Sequence, residues 1–207
     1  MLAIIDYGAG NLRNVAMAFR RLGVPATVTA DPAQIARASS LVLPGVGSFG
    51  DAMANLRAHR LDAPLVAALR DGVPFLGICV GMQVLFEVGE EMGEHRGLGV
   101  LPGRVRRFDT GVTIPHMGWN QIRQTLSTPL WHDVPDGSYA YFVHSYFCDA
   151  ADAGVIAART DYGRDFVSAV VSGNIAAIQF HPEKSQDIGE RILRNFARIA
   201  GIATEAP

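Results

Sequence analysis

Residues 77–83 read GICVGMQ and residues 179–185 read QFHPEKS. In the first string Cys79 stands between Gly77 and Gly81, at minus two and plus two. The apolar run VPFLGI leads into it, and MQVLFEVG follows with helical spacing. A strand, a sharp turn and a helix with glycines at those offsets match the G-x-S-x-G nucleophile elbow, with cysteine in place of serine. The glycines have a steric purpose, because a nucleophile held on a strained turn brings its neighbours too close for side chains. The helix beyond would favour a thiolate through its N-terminal dipole, and backbone N–H groups at the turn could hold an oxyanion. Taken alone, the same residues suit a small buried thiol packed between glycines equally well.

A thiol nucleophile needs a base. Of the six histidines, His59 falls in a polar helix, His95 in a charged loop, and His132 beside DVPDG reads as a surface position. His181 ends the run NIAAIQF and is followed by Pro182 and Glu183. At a strand end its imidazole can enter the same crevice as the elbow, and a carboxylate two residues on can fix its tautomer and stabilise its charged form. A second oxyanion donor is expected from another strand-end loop. LPGVGSFGD, with accessible backbone at Gly45 and Gly47, is the candidate; it lacks the lysine and Ser/Thr pair of a phosphate-binding Walker motif. Together these residues imply a cysteine hydrolase or acyl-transfer enzyme working through a thioester. Cys148 ends a strand-like run without a glycine frame and reads as structural.

The elements that must position these residues are short apolar strands alternating with helices. LAIID, ATVTA, SLVLPG and VPFLGI read as strands. Leu12, Val15, Ala16, Phe19 and Leu22 share one helical face before the stop at Gly23. Asp31-Pro32 reads as a cap and first-turn proline before AQIARA, AMANLRA as a helix after the glycine loop, and residues 62–71 as another. Such alternation implies right-handed crossovers, a mostly parallel sheet, and a site beyond the carboxyl ends of its strands. From about Gly97 to His181 the signals turn to strands and tight turns, with SGN at 172–174 as a hairpin. The last helix, from Ser185 as cap, carries Asp187 in its first turn and an apolar stripe of Ile188, Ile192, Phe196 and Ile199. The expected fold is therefore α/β: a mostly parallel open sheet flanked by helices, with added antiparallel strands in the second half, as one domain over 1–207.

The bulk properties narrow the class. The 207 residues are 49% apolar, which suits a globular domain, and the net charge of −2 with no basic block argues against a nucleic-acid surface. Two cysteines make no disulfide framework. The start MLAIIDYG lacks a basic leader and no apolar run approaches a membrane span, so a soluble cytoplasmic protein is expected. Scattered histidines, no C-x-x-C spacing and no dinucleotide fingerprint argue for no metal and no cofactor.

Three strings, PGVGSFGDAM, GICVGMQVLFE and QFHPEKS, resemble the class I (triad-type) glutamine amidotransferases, and the resemblance covers essentially the whole chain. Three more, DYGAGNLRN, PHMGWN and YFVHSY, are similar to the glutaminase-subunit family of imidazole glycerol phosphate synthases, and the length suits a two-subunit rather than a fused enzyme. The resemblance implies hydrolysis of L-glutamine to glutamate and ammonia, with Cys79 as nucleophile, His181 as base and Glu183 as its orienting partner. It puts the oxyanion site at Val46, Gly47 and Val80, and places Gly45, Gln83, His144, Ser145 and Tyr146 around the bound glutamine. Val80 stands where leucine is more usual. The resemblance also implies a (β/α)₈-barrel cyclase as partner, receiving ammonia for histidine biosynthesis, with Asn11, Asn14, Met117, Trp119, Tyr141 and Lys184 on the docking face. Another class I amidotransferase, such as the glutaminase of pyridoxal phosphate synthase, a non-catalytic subunit keeping the fold, and an unrelated cysteine hydrolase are the alternatives.

Overall fold

The computed structural model describes residues 1–109 and 111–204. Its first half alternates: β1 (Leu2–Ile5), α1 (Leu12–Arg21), β2 (Ala26–Thr29), α2 (Pro32–Ala36), β3 (Ser40–Gly45), α3 (Phe49–Ala58), α4 (Asp62–Arg70), β4 (Phe75–Cys79) and the single turn α5 (Val80–Gln83). The second half is rich in strands: β5 (Phe86–Gly89), β6 (His95–Arg96), β7 (Leu101–Arg107), β8 (His116–Gln124), β9 (Ser138–His144), β10 (Tyr146–Ala150), β11 (Ile156–Asp161), β12 (Asp165–Ser172) and β13 (Ile175–Ile178). The helix α6 (Gln186–Ile199) follows.

The sheet runs β2-β1-β3-β4-β13-β12-β10-β7-β5-β6, with β11, β8 and β9 branching from β12. The segment β2-β1-β3-β4-β13 is parallel throughout. β1, β3 and β4 are buried along their whole length, which is why they read as unbroken apolar runs rather than alternating ones. β13 reaches its parallel place beside β4 through the SGN hairpin with antiparallel β12. Asn174 in that turn anchors it by donating to the carbonyls of Leu69 and Val73 at 3.0 and 2.7 Å. On one flank the apolar faces of α1 and α6 meet, with Phe19 and Phe196 edge to face at 6.5 Å.

Several local expectations change. MQVLFEVG is not a helix: after one turn the chain becomes β5, whose aromatic and β-branched residues pair in parallel with β7. α3 begins at Phe49 instead of Ala52, because Ser48 accepts from the Asp51 amide and caps it. Ser185 occupies the cap position of α6 but makes no side-chain cap; its hydroxyl bonds Tyr141 and His181 instead. His95 lies in a strand rather than a loop, half-buried against Gly50 of α3. YAYFVHSYFC splits at Ser145 into β9 and β10.

Candidate active site

Cys79 is the last residue of β4 and has φ +56° and ψ −111°, a conformation that costs a non-glycine residue of order 1–3 kcal/mol and is kept only where the surroundings enforce it. The enforcement is close packing. A Cβ on Gly81 would lie 1.8 Å from the Leu43 carbonyl oxygen, and one on Gly77 2.6 Å from the Gly81 oxygen. Gly45, in register with Cys79 on β3, is equally tight: its Cβ would lie 2.7 Å from the Gly81 nitrogen. Gly45 therefore packs behind the elbow and does not line the cavity in front of it. The helix after the elbow is four residues long, so its dipole is far weaker than the sequence suggests, and the sulfur's partners are side chains.

The first is His181. Its Nδ1 lies 3.0 Å from Glu183 Oε1, and both side chains are 1% exposed. Burial opposes protonation of the imidazole, but the bond to Glu183 and the charges of the neighbouring Cys79 and Glu183 outweigh it and raise the pKa to about 10, while Nε2 itself has no hydrogen-bond partner. The His181–Glu183 turn is clamped to β9: the His181 amide donates to the Tyr141 carbonyl at 2.9 Å, and Ser185 Oγ accepts from the Tyr141 amide at 2.9 Å while donating to the His181 carbonyl at 2.6 Å.

The second is Gln179, which sequence reasoning missed. It lies one residue beyond β13, level with Cys79 because Ile178 registers on Ile78. Its Nε2 is 3.6 Å from the Cys79 sulfur. Gln83, also buried, donates to Gln179 Oε1 and to the Tyr146 carbonyl, each at 3.1 Å. The same carbonyl accepts from His144 Nδ1 at 2.8 Å, and His144 Nε2 lies 2.9 Å from His116 Nδ1. Burial lowers the pKa of His116 to about 4 and of His144 to about 3, so both rings are neutral and His144 serves as a structural wall, not a base. The available signal for Gln179 was a polar residue inside an apolar strand run two places before His181. His116 and Glu91 carried no comparable signal.

A cavity of about 260 Å³ opens in front of the sulfur, smaller than the roughly 300–1,000 Å³ of drug-sized sites and suited to an amino acid. Cys79, Val80, His181, Val46, Gly47, Gln83, Glu91, Pro115 and the segment Val143–Tyr146 line it. The structure thus brings nine of the eleven expected catalytic, oxyanion and substrate residues to one cavity; the other two are Glu183, which lies behind His181, and Gly45, which lies behind the elbow. Gly47 has φ +89° with open space around its Cα, and Val46 is exposed. A larger groove of about 750 Å³, lined by Asp133–Pro135 and polar residues of α6, contains no thiol or histidine. Among the described residues no cluster of His, Cys, Asp or Glu could hold a metal ion, and no helix is long and apolar enough to cross a membrane.

The profile of the family Glutamine amidotransferase class-I matches residues 3–200. The imidazole glycerol phosphate synthase subunit HisH of Dehalococcoides mccartyi is 48% identical over 200 residues, 97% of this chain and 98% of that one. The chain belongs to the class I glutamine amidotransferases, among the HisH subunits. The HisH subunit of Chloroflexus aurantiacus is 50% identical over 202 residues, covering 96% of this chain and 95% of its own. A crystal structure of a glutamine amidotransferase superposes with a TM-score of 0.77 at 22% identity over 97% of this chain and 99% of that chain. PurLQS from Thermotoga maritima superposes with 0.75 at 18% over 95% and 97%. These last two likenesses concern the fold. In this amidotransferase the expected docking residues are largely accessible. Met117 and Trp119 are 62% and 47% exposed on β8, so Trp119 is not a core aromatic. Trp119 pairs with Tyr141 of β9, edge to face at 6.1 Å, and Lys184 Nζ lies 5.5 Å from the Tyr141 ring. Asn11 stands at the cap position of α1 without a side-chain cap bond, and Asn14 is exposed on its first turn.

Proposed function

We propose that the whole chain acts as one glutaminase domain whose Cys79, His181 and Glu183 form a catalytic triad supplying ammonia to a cyclase subunit. The observation that carries this reading is the convergence of a strained, buried cysteine and a glutamate-backed imidazole on one amino-acid-sized cavity. The Cys79 thiolate attacks the carboxamide carbon of glutamine. The oxyanion is held by the Val80 N–H, one of the donors a helix start leaves unpaired, and by the Val46–Gly47 peptide, which is free to reorient because nothing crowds Gly47. The imidazolium of His181 gives its proton to the amide nitrogen, the C–N bond breaks, and ammonia leaves. Water, deprotonated by His181, then attacks the thioester, releasing glutamate and the thiolate. Glu183 fixes the ring and stabilises its charge.

Glutamine's own charges need partners. Glu91, whose Oε2 accepts from the Phe49 amide at 2.8 Å, offers its carboxylate to the α-ammonium. The backbone at Ser145 and Tyr146 and the free Gln83 oxygen serve the rest of the amino acid. The partner is a (β/α)₈-barrel cyclase docked on Asn11, Asn14, Met117, Trp119, Tyr141 and Lys184, and the setting is cytoplasmic. Ammonia passed directly stays unprotonated and nucleophilic. Glutamate release is measured for the chain alone and with the cyclase subunit bearing its ribonucleotide ligand. Strong stimulation, lost in Cys79→Ala, is expected; brisk release indifferent to the partner would remove the pathway assignment, and no release from the confirmed complex would remove the enzyme.

A further inference from the structure

We infer that Gln179 is a further catalytic residue: its side-chain amide donates to the Cys79 sulfur and holds it as an oriented thiolate. The inference rests on Cys79 being the nucleophile. Gln179 is wholly buried beyond β13, and its neighbours Ala176, Ala177, Ile178 and Phe180 are buried and apolar. A glutamine there must find partners for its amide or lose several hydrogen bonds to burial.

A glutamine amide can usually be turned over with little change in shape. Here its sense is dictated by a chain of donors and acceptors. The Tyr146 carbonyl only accepts, so Gln83 must offer it the NH₂ group, 3.1 Å away. The second N–H of that group then points at Gln179, which must answer with Oε1 at 3.1 Å. This leaves the Gln179 NH₂ directed at the sulfur, at 3.6 Å. Turning either amide over would oppose donor to donor or oxygen to oxygen.

A neutral donor suits this place. It stabilises negative charge on sulfur but neither takes nor supplies the proton that His181 must move. The bond is worth most when the thiolate is present: before attack, and again when sulfur leaves the thioester. The titratable groups around Cys79 are His181, backed by Glu183, Tyr7 and Cys148. Burial holds the last two protonated, and keeps His144 and His116 neutral. Among the described residues the side-chain hydrogen bond that reaches the sulfur is the one from this amide, and His181 Nε2 keeps no partner of its own.

The test is capture of Cys79 by iodoacetamide in the full chain, read by peptide mass so that Cys148 is scored separately. Gln179→Glu keeps the shape and the acceptor for Gln83; Gln179→Met keeps the length. Both lack the permanent donor. Capture at neutral pH should slow by about tenfold in each and recover at alkaline pH, as loss of one hydrogen bond to a charged acceptor implies. The kcat for glutamate release should fall by a similar factor with KM within about threefold. Capture profiles that superpose on the parent in both variants would overturn the inference. If the variants fold poorly, the parent decides: the Gln179 side-chain amide resonances should move with pH and stay fixed in Cys79→Ala, and resonances indifferent to pH in the parent would overturn it. Capture needs no glutamine turnover, so a chain without glutaminase activity would sink the functional reading and still leave this measurement decisive.

Discussion

Replacing Gly81 with alanine tests whether the elbow is made by close approach. The added Cβ would lie 1.8 Å from the Leu43 carbonyl oxygen and 2.9 Å from its carbon, against the ~3.3–3.6 Å of an ordinary C–H···O contact. Leu43 registers on Gly77 in the middle of the β3–β4 ladder, so its carbonyl cannot retreat without opening that ladder. Overpacking costs about 1–3 kcal/mol when side chains give way. Here backbone must move, and one or two ladder hydrogen bonds lost add about 1 kcal/mol each. The sum, roughly 2–5 kcal/mol, is a large share of the ~5–15 kcal/mol that holds a domain together. With a urea slope of about 3 kcal/mol/M, the unfolding midpoint should fall by about 0.7–1.7 M. Gly47→Ala is the comparison: nothing lies within 4 Å of its Cβ position, and only the φ of +89° is penalised, so it should lose about 1–2 kcal/mol. A Gly81→Ala protein that unfolds with the parent's midpoint and keeps its Cys79-dependent turnover would refute the steric account of the elbow.

Other expectations follow from the same geometry. Because the His181 pKa is raised from 6.5 to about 10, its stabilising contribution is complete below pH 6.5 and is lost as pH rises toward 10; Cys79→Ala should move the ring's titration, followed by NMR, to lower pH, and an unmoved titration would contradict the pairing. The folded pKa values of His116 and His144 are depressed, so their contribution is present above pH 6.5 and is lost as pH falls toward 4 and 3. Neither ring should gain a proton above about pH 5 in the folded protein, and a ring titrating near 6.5 would contradict its burial. Trp119→Ala should weaken cyclase binding by about 2 kcal/mol, near thirtyfold in Kd by calorimetry, while leaving the isolated chain's Tm unchanged; an equal loss of Tm would mean a packing role.

The alternation of apolar runs and helix signals made the parallel half legible, since β1, β3 and β4 are buried on both faces and must be apolar throughout. The elbow was legible because its steric demand falls on residues two places away. Gln179 was not, since its meaning depends on β13 lying beside β4, a long-range pairing created by the hairpin from β12. Glu91 reaches the cavity from the turn between β5 and β6, and no local pattern signals that. That Gly45 packs behind the elbow was not legible for a related reason: accessible backbone and tightly packed backbone demand the same residue. The MQVLFEVG segment shows tertiary pairing overriding a helical period that one turn already satisfied.

The central claim is covalent chemistry at Cys79 in the cavity shared with His181. The most direct measurement is labelling by a glutamine analogue with a chloromethyl ketone in place of its carboxamide, mapped by peptide mass with and without L-glutamine. The account predicts a single adduct on Cys79, slowed by glutamine and lost in Cys79→Ala. An adduct elsewhere in the chain, or labelling of Cys79 that glutamine does not slow, would contradict it.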